Sequence, residues 1–214
     1  MKDKMNEQTG NQGVRHAYLI MCHNNFMHLA RLLQALDNEK NDIYVHVDKK
    51  AGDCPFEMLE KSVRKANLFW VKRRSVNWGG VSQIRTELFL LKQAAETYHS
   101  YYHLLSGMDF PLKSQRYIHE FFSDHQGSEF INFDKKAIEE AEFIDRVRYY
   151  YFFQDMVGRN KGKIPALCYH MQKILLSFQK NRNVDRTKKY SFALYKGTNW
   201  FSITHELVHI FTAK

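Results

Sequence analysis

The sequence predicts a mixed α/β fold in which a mostly parallel sheet is flanked by helices. Short apolar runs alternate with amphipathic stretches along the first third of the chain, and several of these runs end abruptly in polar loops. Hydrophobic residues make up 44% of the 214 residues, enough for a buried core. Alternation of this kind is typical of βαβ units. We therefore expect one domain over residues 14–214, after a flexible N-terminus at residues 1–13.

The periodicity of the apolar residues predicts the individual elements. Residues 27–36 carry leucines at the i, i+3, i+4 and i+7 spacing of one helix face, and Asn24 or Asn25 precedes them as a candidate N-cap. The other predicted helices are residues 56–63, 81–98, 115–122 and 165–179. The predicted strands are residues 17–22, 43–47, 68–71, 101–105, 129–133, 147–153 and 200–203.

Polar residues follow four successive predicted strands, and ligands of open α/β sheets bind outside the carboxyl ends of the strands. An indole that stacks on a base, carboxylates that accept from an imide or a ribose hydroxyl, and a glycine that permits close backbone approach would suit a nucleotide. Structural alternatives stay open, with Asp48 capping a turn, Trp78 filling the core and Asp109 forming a turn. The candidate residues are His23, Asp48, Trp78, Gly79, Ser106 and Asp109.

The positive charge of the chain is concentrated in one window. The formal net charge is +9, and residues 146–196 contain twelve Lys or Arg against two Asp or Glu, so the rest of the chain nets about minus one. Such a patch suits nucleotide phosphates or an anionic membrane, or is simply solvated. The window lacks a recognised nucleic-acid-binding motif, and we expect no nucleic-acid partner.

The apolar stretch at residues 164–178 lies inside this basic window and has basic neighbours, among them Lys161, Lys163 and Lys173. Its helical periodicity suits either a membrane-surface helix or an ordinary core helix. We expect it to pack in the core. Peripheral contact with an anionic membrane is the alternative.

The cysteines and the N-terminal sequence bear on localisation. Cys22, Cys54 and Cys168 are odd in number and unpatterned, which argues against a disulfide framework or a zinc knuckle. The first residues lack an apolar run, and no run of ~18 apolar residues occurs elsewhere. We expect a cytoplasmic protein, with the inner face of the membrane as a candidate site of attachment.

Five sequence blocks, AYLIMCHNN, YVHVDKK, VNWGGVS, LLSGMDFPLK and KGTNWFSITHELVHIF, occur in order from residue 17 onwards. Together they resemble the core 2 / I-branching β-1,6-N-acetylglucosaminyltransferase family, which includes the peptide O-xylosyltransferases. The resemblance implies a variant of the GT-A fold. It also implies transfer of a sugar, with inversion, from a UDP-sugar donor to a hydroxyl of the acceptor, without a metal ion or other cofactor.

Carried over residue by residue, the resemblance implies that His23 and Asp48 line the uridine site, and that Trp78 and Gly79 continue it. Ser106 and Asp109 then lie at the sugar end. Arg148 falls among basic residues of the acceptor site.

The glutamate that acts as the family's general base lies beyond the last of these blocks, so we expect it beyond residue 214 and expect this chain to be a truncated form. The donor sugar is N-acetylglucosamine or xylose. A glycan or lipid-linked acceptor in bacterial surface polysaccharide synthesis would suit such a protein. A non-catalytic fragment that binds a nucleotide sugar or a membrane surface is the alternative.

Residues 205–209 read HELVH, which matches the H-E-x-x-H motif of zinc hydrolases. A catalytic zinc site needs a third protein ligand, usually well downstream, and five residues follow the motif. We expect an ordinary helix here.

Overall fold

The computed structural model describes residues 14–134, 141–157 and 162–213, so the predicted flexible segment 1–13 and Lys161 lie outside the described residues. The strands are β1 His16–Cys22, β2 Asn41–Val47, β3 Asn67–Trp70, β4 Tyr101–Ser106, β5 Phe130–Asp134 and β6 Lys196–Thr204. The helices are α1 Phe26–Leu36, α2 Phe56–Glu60, α3 Val81–Ala94, α4 Gln115–Asp124, α5 Ala141–Arg148, α6 Gln154–Val157, α7 Lys163–Asn181 and α8 His205–Thr212.

The six strands form one sheet with the order β3-β2-β1-β4-β6-β5. Strands β3, β2, β1 and β4 are parallel to one another, and β6 runs antiparallel to β4. The chain moves outward from β1 through β2 to β3 and then returns to place β4 on the other side of β1. The structure confirms the predicted fold class, a mostly parallel sheet flanked by helices.

The core lies between the central strands and α1. Every residue of β2 is buried, and the leucines of α1 at the predicted i, i+3, i+4 and i+7 positions are fully buried. Strand side chains alternate between faces, so Tyr18, Ile20 and Cys22 meet this helix from one face of β1. The N-cap is Asn25, whose side chain accepts the N–H of His28 at 3.3 Å.

Two compact units divide the chain. Unit 1 consists of Met1–Arg74, Thr86–Phe130 and Trp200–Lys214, and it contains β1 to β4. Unit 2 consists of Ser75–Arg85 and Ile131–Asn199, and it contains α5, α6 and α7. The single domain over residues 14–214 stays a prediction.

The predicted strand at residues 147–153 is wrong. Helix α5 continues to Arg148, and the following backbone is bound by side chains instead of a neighbouring strand. Gln179 accepts the N–H of Tyr150 at 2.8 Å and donates to its carbonyl oxygen at 3.0 Å. Gln172 accepts the N–H of Phe153 at 3.1 Å. The two glutamines thus satisfy backbone groups that a sheet would otherwise pair.

The prediction that the apolar residues at 164–178 pack in the core is also wrong. Helix α7 forms as predicted, but its buried residues are Cys168, Gln172 and Gln179. Leu175 and Leu176 are partly buried, whereas Ile164, Leu167, Met171, Ile174 and Phe178 are exposed to solvent. Within the described residues, no helix combines the length and the apolar character that crossing a bilayer requires.

Three histidines cluster near the first residues of β1 and β2, and two of them, His16 and His103, are buried whereas His119 is partly buried. His16 Nδ1 lies 3.0 Å from His103 Nε2, and His103 Nδ1 lies 2.8 Å from the Ser202 hydroxyl. His119 Nε2 donates to Asn41 Oδ1 at 2.9 Å. Burial, reinforced by the neighbouring histidines, lowers the pKa of His16 to about 2 and that of His103 to about 3. Burial also lowers the pKa of His119 to about 4. The cluster is therefore neutral in the folded protein at pH 7.

Candidate functional site

The loops after β1, β2 and β4 meet at one edge of the sheet in unit 1. The N–H of Asp48, just after β2, donates to the carbonyl oxygen of Cys22 at 2.8 Å. The N–H of Gly107, just after β4, donates to the carbonyl oxygen of Met21 at 2.8 Å. The strand order reverses between β1 and β4, and this switch point is where open α/β sheets form a crevice for ligands. Three of the predicted residues, His23, Asp48 and Asp109, lie in these loops, and Ser106 is the last residue of β4.

Close approach of the β4 loop to β1 depends on a glycine. A Cβ atom at Gly107 would lie 2.9 Å from both Cβ and Sγ of Cys22, closer than such atoms normally approach. Cys22 is itself buried, and burial raises the pKa of its thiol to about 11. The buried thiol therefore acts as a packing group against the glycine.

Ser106 and Asp109 form a tight turn at the end of β4. Asp109 Oδ2 accepts the N–H of Ser106 at 2.7 Å, and the Ser106 hydroxyl accepts the N–H of Met108 at 3.0 Å. His28, in the first turn of α1, lies 3.2 Å through Nε2 from the carbonyl oxygen of Asp109. The side chains of this loop are thus held in place by backbone and helix contacts. Asp109 therefore stabilises a turn, which is the structural alternative that the sequence left open for this residue.

Asp48 caps a short 3₁₀ helix, Lys49–Ala51. Its Oδ1 accepts the N–H of Lys50 at 2.9 Å, and the residue is 7% exposed. The Arg73 guanidinium donates to the carbonyl oxygens of Asp48 at 2.9 Å and Gly52 at 2.8 Å, which fixes this loop. The capping role left open by the sequence is therefore present. It holds the carboxylate at the edge of the sheet in a defined position.

The other polar residues at this edge differ in exposure. His46, on the same face of β2 as Asp48, is buried and accepts the N–H of Arg74 at 3.0 Å through Nε2. Burial lowers the pKa of His46, so this imidazole is a neutral structural acceptor. His23, in the loop between β1 and α1, is exposed.

Trp78 and Gly79 lie in unit 2, in a turn that leads into α3. The N–H of Gly80 donates to the carbonyl oxygen of Asn77 at 2.9 Å, and Gly79 has a φ of 73°, a backbone conformation that favours glycine. Trp78 is 53% exposed, so the alternative in which it fills the core is wrong. The turn presents the indole to solvent.

Asp155 fixes this turn, and the sequence did not reveal it as a candidate residue. Its Oδ1 accepts from the N–H of Ser82 at 3.2 Å and from the Ser82 hydroxyl at 2.9 Å. A Cβ atom at Gly80 would overlap the same oxygen. The sequence nevertheless contained a signal that could have singled out Asp155. It is one of two acidic residues in the basic window 146–196.

Arg148, the predicted acceptor-site residue, makes ion pairs within unit 2. Its guanidinium lies 3.7 Å from Asp145 and 3.7 Å from Asp185, distances that suit ion pairs better than hydrogen bonds. Asp185 also accepts the N–H of Thr187 at 2.9 Å. Arg148 therefore has a structural role. Its assignment to an acceptor site, like the donor-site assignment of the other six residues, stays a prediction.

The H-E-x-x-H sequence lies in α8. His205 Nε2 and His209 Nε2 are 2.8 Å apart, and His205 Nδ1 lies 2.7 Å from the Tyr102 hydroxyl. Residues 14–134, 141–157 and 162–213 contain no group of three His, Cys, Asp or Glu side chains arranged to hold a metal ion. The described residues thus supply no third ligand for a zinc hydrolase.

The sequence model of the family described as Core-2/I-Branching enzyme matches residues 16–213, nearly the whole chain. The chain belongs to this family. The resemblance expected from the five sequence blocks is confirmed.

Curated relatives in the family are glycosyltransferases. Human N-acetyllactosaminide beta-1,6-N-acetylglucosaminyl-transferase is 33% identical over 116 residues, covering 52% of this chain and 29% of the relative. Its mouse counterpart is 30% identical over 137 residues, covering 62% of this chain and 33% of the relative. Rat xylosyltransferase 2 is 30% identical over 123 residues, covering 55% and 14%. The matched region thus spans a third or less of the length of these relatives.

Two solved structures show a looser similarity to this family member. Apo mouse xyloside xylosyltransferase 1 is 8% identical with a TM-score of 0.39, covering 94% of this chain and 70% of that chain. The 4-diphosphocytidyl-2C-methyl-D-erythritol synthase of Anaerococcus prevotii is 10% identical with a TM-score of 0.41, covering 92% and 73%. Scores at this level imply no shared function.

Proposed function

We propose that the edge of the sheet formed by the loops after β1, β2 and β4 binds a UDP-sugar. In this proposal the chain serves inverting, metal-independent transfer of N-acetylglucosamine or xylose to a hydroxyl of a glycan or lipid-linked acceptor, in surface polysaccharide synthesis. The observation that carries it is the pair of hydrogen bonds that joins the Asp48 and Gly107 loops to the end of β1. His23, Asp48, Ser106 and Asp109 end or follow these three strands, on either side of the switch point of the sheet.

The proposed chemistry at this edge is hydrogen-bond acceptance from the donor. A carboxylate offers about four lone-pair sites, so Asp48 and Asp109 can accept hydrogen bonds from a ligand as well as from the backbone. Asp48 would accept from the uracil imide or a ribose hydroxyl, and Asp109 from a sugar hydroxyl. Hydrogen bonds to ionised groups contribute about 1.5–3 kcal/mol each.

The proposed choice of donor sugar rests on the printed names of the relatives. Both N-acetylglucosaminyl-transferases and xylosyltransferases match this chain at about the same identity. UDP-N-acetylglucosamine and UDP-xylose are therefore the two donors to compare.

Isothermal titration calorimetry with both donors and with UDP tests the donor site. Asn caps helices as well as Asp does, so Asp48→Asn keeps the turn at Lys50 while removing the charge. We expect it to weaken UDP binding roughly 10- to 100-fold, as loss of one charged hydrogen bond predicts. Asp37→Asn is the matched control, because Asp37 likewise accepts backbone N–H groups, from Lys65 and Ala66, but precedes β2 instead of following it.

Equal UDP affinity in the wild type, Asp48→Asn and Asp37→Asn would contradict the donor-site assignment. Turnover is then measured with each UDP-sugar and a panel of glycan acceptors, with and without EDTA. Transfer that persists in EDTA supports the metal-independent proposal, whereas loss of transfer in EDTA contradicts it. Tight binding with no transfer to any acceptor favours the alternative of a non-catalytic nucleotide-sugar binding fragment.

A further inference from the structure

Helix α7 presents an apolar stripe to solvent. Its residues lie at the i, i+3, i+7, i+10 and i+14 positions, so they fall on one narrow face of the helix. The exposed fractions range from 43% to 69%, which is unusual for large apolar side chains grouped on one face. The residues of this apolar stripe are Ile164, Leu167, Met171, Ile174 and Phe178.

The way in which α7 packs within unit 2 explains why the stripe is exposed. The helix is attached through Gln172 and Gln179, one heptad apart, which hydrogen-bond the backbone of Tyr150 and Phe153. Cys168 lies on the same buried side, with its Sγ 4.0 Å from Met156 Sδ. Two glutamines therefore anchor the packed side of α7, where Leu175 and Leu176 are partly buried, while the five residues of the apolar stripe face solvent.

Cations border the stripe. Lys163 immediately precedes it, and Arg182 lies one turn beyond Phe178, with its guanidinium 5.1 Å from the centroid of the Phe178 ring. Residues 162–199 contain eight Lys or Arg and a single acidic residue, Asp185, and α7 itself contains no Asp or Glu. An apolar helix face bordered by basic residues is typical of helices that lie in the interface of an anionic membrane.

We propose that the apolar stripe of α7 inserts into the surface of an anionic lipid bilayer. The helix is about 28 Å long and would lie in the plane of the membrane. The five apolar side chains would enter the acyl boundary while Lys163 and Arg182 remain at the headgroups. Charge complementarity favours lipid over a second copy of the chain, because two copies of α7 would bring cations together without acidic side chains in either helix to pair with them.

Co-sedimentation of the full chain with vesicles tests this proposal, and it needs no sugar nucleotide, so its outcome is independent of the proposed transferase function. The vesicles are phosphatidylcholine with phosphatidylglycerol in a two-to-one ratio, or phosphatidylcholine alone. We expect binding to the anionic vesicles only, weakened by added salt. Ile174→Gln should weaken it roughly tenfold, because an apolar side chain of this size no longer enters the bilayer.

Ile210→Gln is the matched control. Ile210 lies in α8 and is 72% exposed, close to the 69% of Ile174, so the two substitutions change the same chemistry on exposed helix surfaces. We expect the Ile210 variant to bind anionic vesicles like the wild type. Because both side chains are exposed, both variants should keep the circular dichroism spectrum and the thermal unfolding of the wild type. Misfolding is then excluded as the cause of weaker vesicle binding by Ile174→Gln.

Insertion depth gives a second measurement. In Phe178→Trp, the added indole should show a blue-shifted emission on anionic vesicles and quenching by brominated acyl chains, relative to the wild type with its native tryptophans. No binding to either vesicle, or equal binding by wild type and Ile174→Gln, overturns the proposal. A dimer in analytical ultracentrifugation that Ile174→Gln dissociates also overturns it, because the stripe would then be a contact between copies.

Discussion

The buried histidine cluster predicts how stability changes with pH. Unfolded histidines titrate near pH 6.5, whereas the pKa values of His16 and His103 are lowered to about 2 and about 3 in the folded protein. At pH values between the pKa of the folded state and that of the unfolded state, the unfolded state binds more protons than the folded state. The stabilising effect of the neutral imidazoles is therefore fully present above about pH 6.5 and is lost as the pH falls below it.

The size of the effect follows from proton linkage. Lowering the pH from 7 to 5 costs about 2 kcal/mol for each histidine that stays neutral in the folded state and titrates freely in the unfolded state. His16 and His103 together give about 4 kcal/mol, a large share of the ~5–15 kcal/mol that stabilises a typical protein. Burial also lowers the pKa values of His46 and His205, which act in the same direction.

Urea unfolding at pH 7, 6 and 5 measures this loss. A glutamine at position 103 cannot titrate, so His103→Gln should reduce the difference in unfolding free energy between pH 7 and pH 5 by about 2 kcal/mol, whatever its stability at pH 7. His170→Gln is the control, because it makes the same substitution at an exposed residue of α7 outside the cluster. Identical pH dependence in the wild type and in His103→Gln would refute the assignment of a buried, neutral imidazole at this position.

Two further predictions concern the loops of the candidate site. Gly107→Ala should lower the free energy of unfolding in urea by about 1–3 kcal/mol, because the new methyl group would press on Cys22; unchanged stability would contradict the close approach. Asp155→Ala should destabilise unit 2 by about 1 kcal/mol and speed amide exchange at Ser82, which loses both acceptor contacts. Exchange at Leu19 in β1 serves as the internal reference, and unchanged exchange at Ser82 would contradict the role of Asp155.

The elements near the N-terminus could be predicted because local periodicity determines them. The leucine spacing predicted α1 and its buried face, and the apolar runs predicted β1, β2 and β4 to within a residue or two. The same reasoning placed α7 in the chain but not its orientation. Periodicity identifies an apolar face, whereas the hydrogen bonds that Gln172 and Gln179 accept from the backbone of Phe153 and Tyr150 decide which face packs inward.

Long-range contacts account for what the sequence did not reveal. The cluster of His16, His103 and His119 depends on the pairing of β1 with β4 and on the packing of α4, and none of these is visible in the spacing of histidines along the chain. The aromatic residues after Arg148 resembled a strand because aromatic residues favour sheets, yet side-chain amides bind their backbone. At the candidate site, the sequence identified the polar residues but not the hydrogen bonds that join their loops.

Backbone amide NMR with added UDP tests the central claim most directly, because it locates the ligand. The account predicts the largest shift changes at the amides of Lys50, Gly107 and Met108, in the loops after β2 and β4. The contradicting result is a set of changes confined to the cavity of about 550 Å³ that is lined by residues including Lys40 and His119. Binding there would place the nucleotide away from the carboxyl ends of the parallel strands.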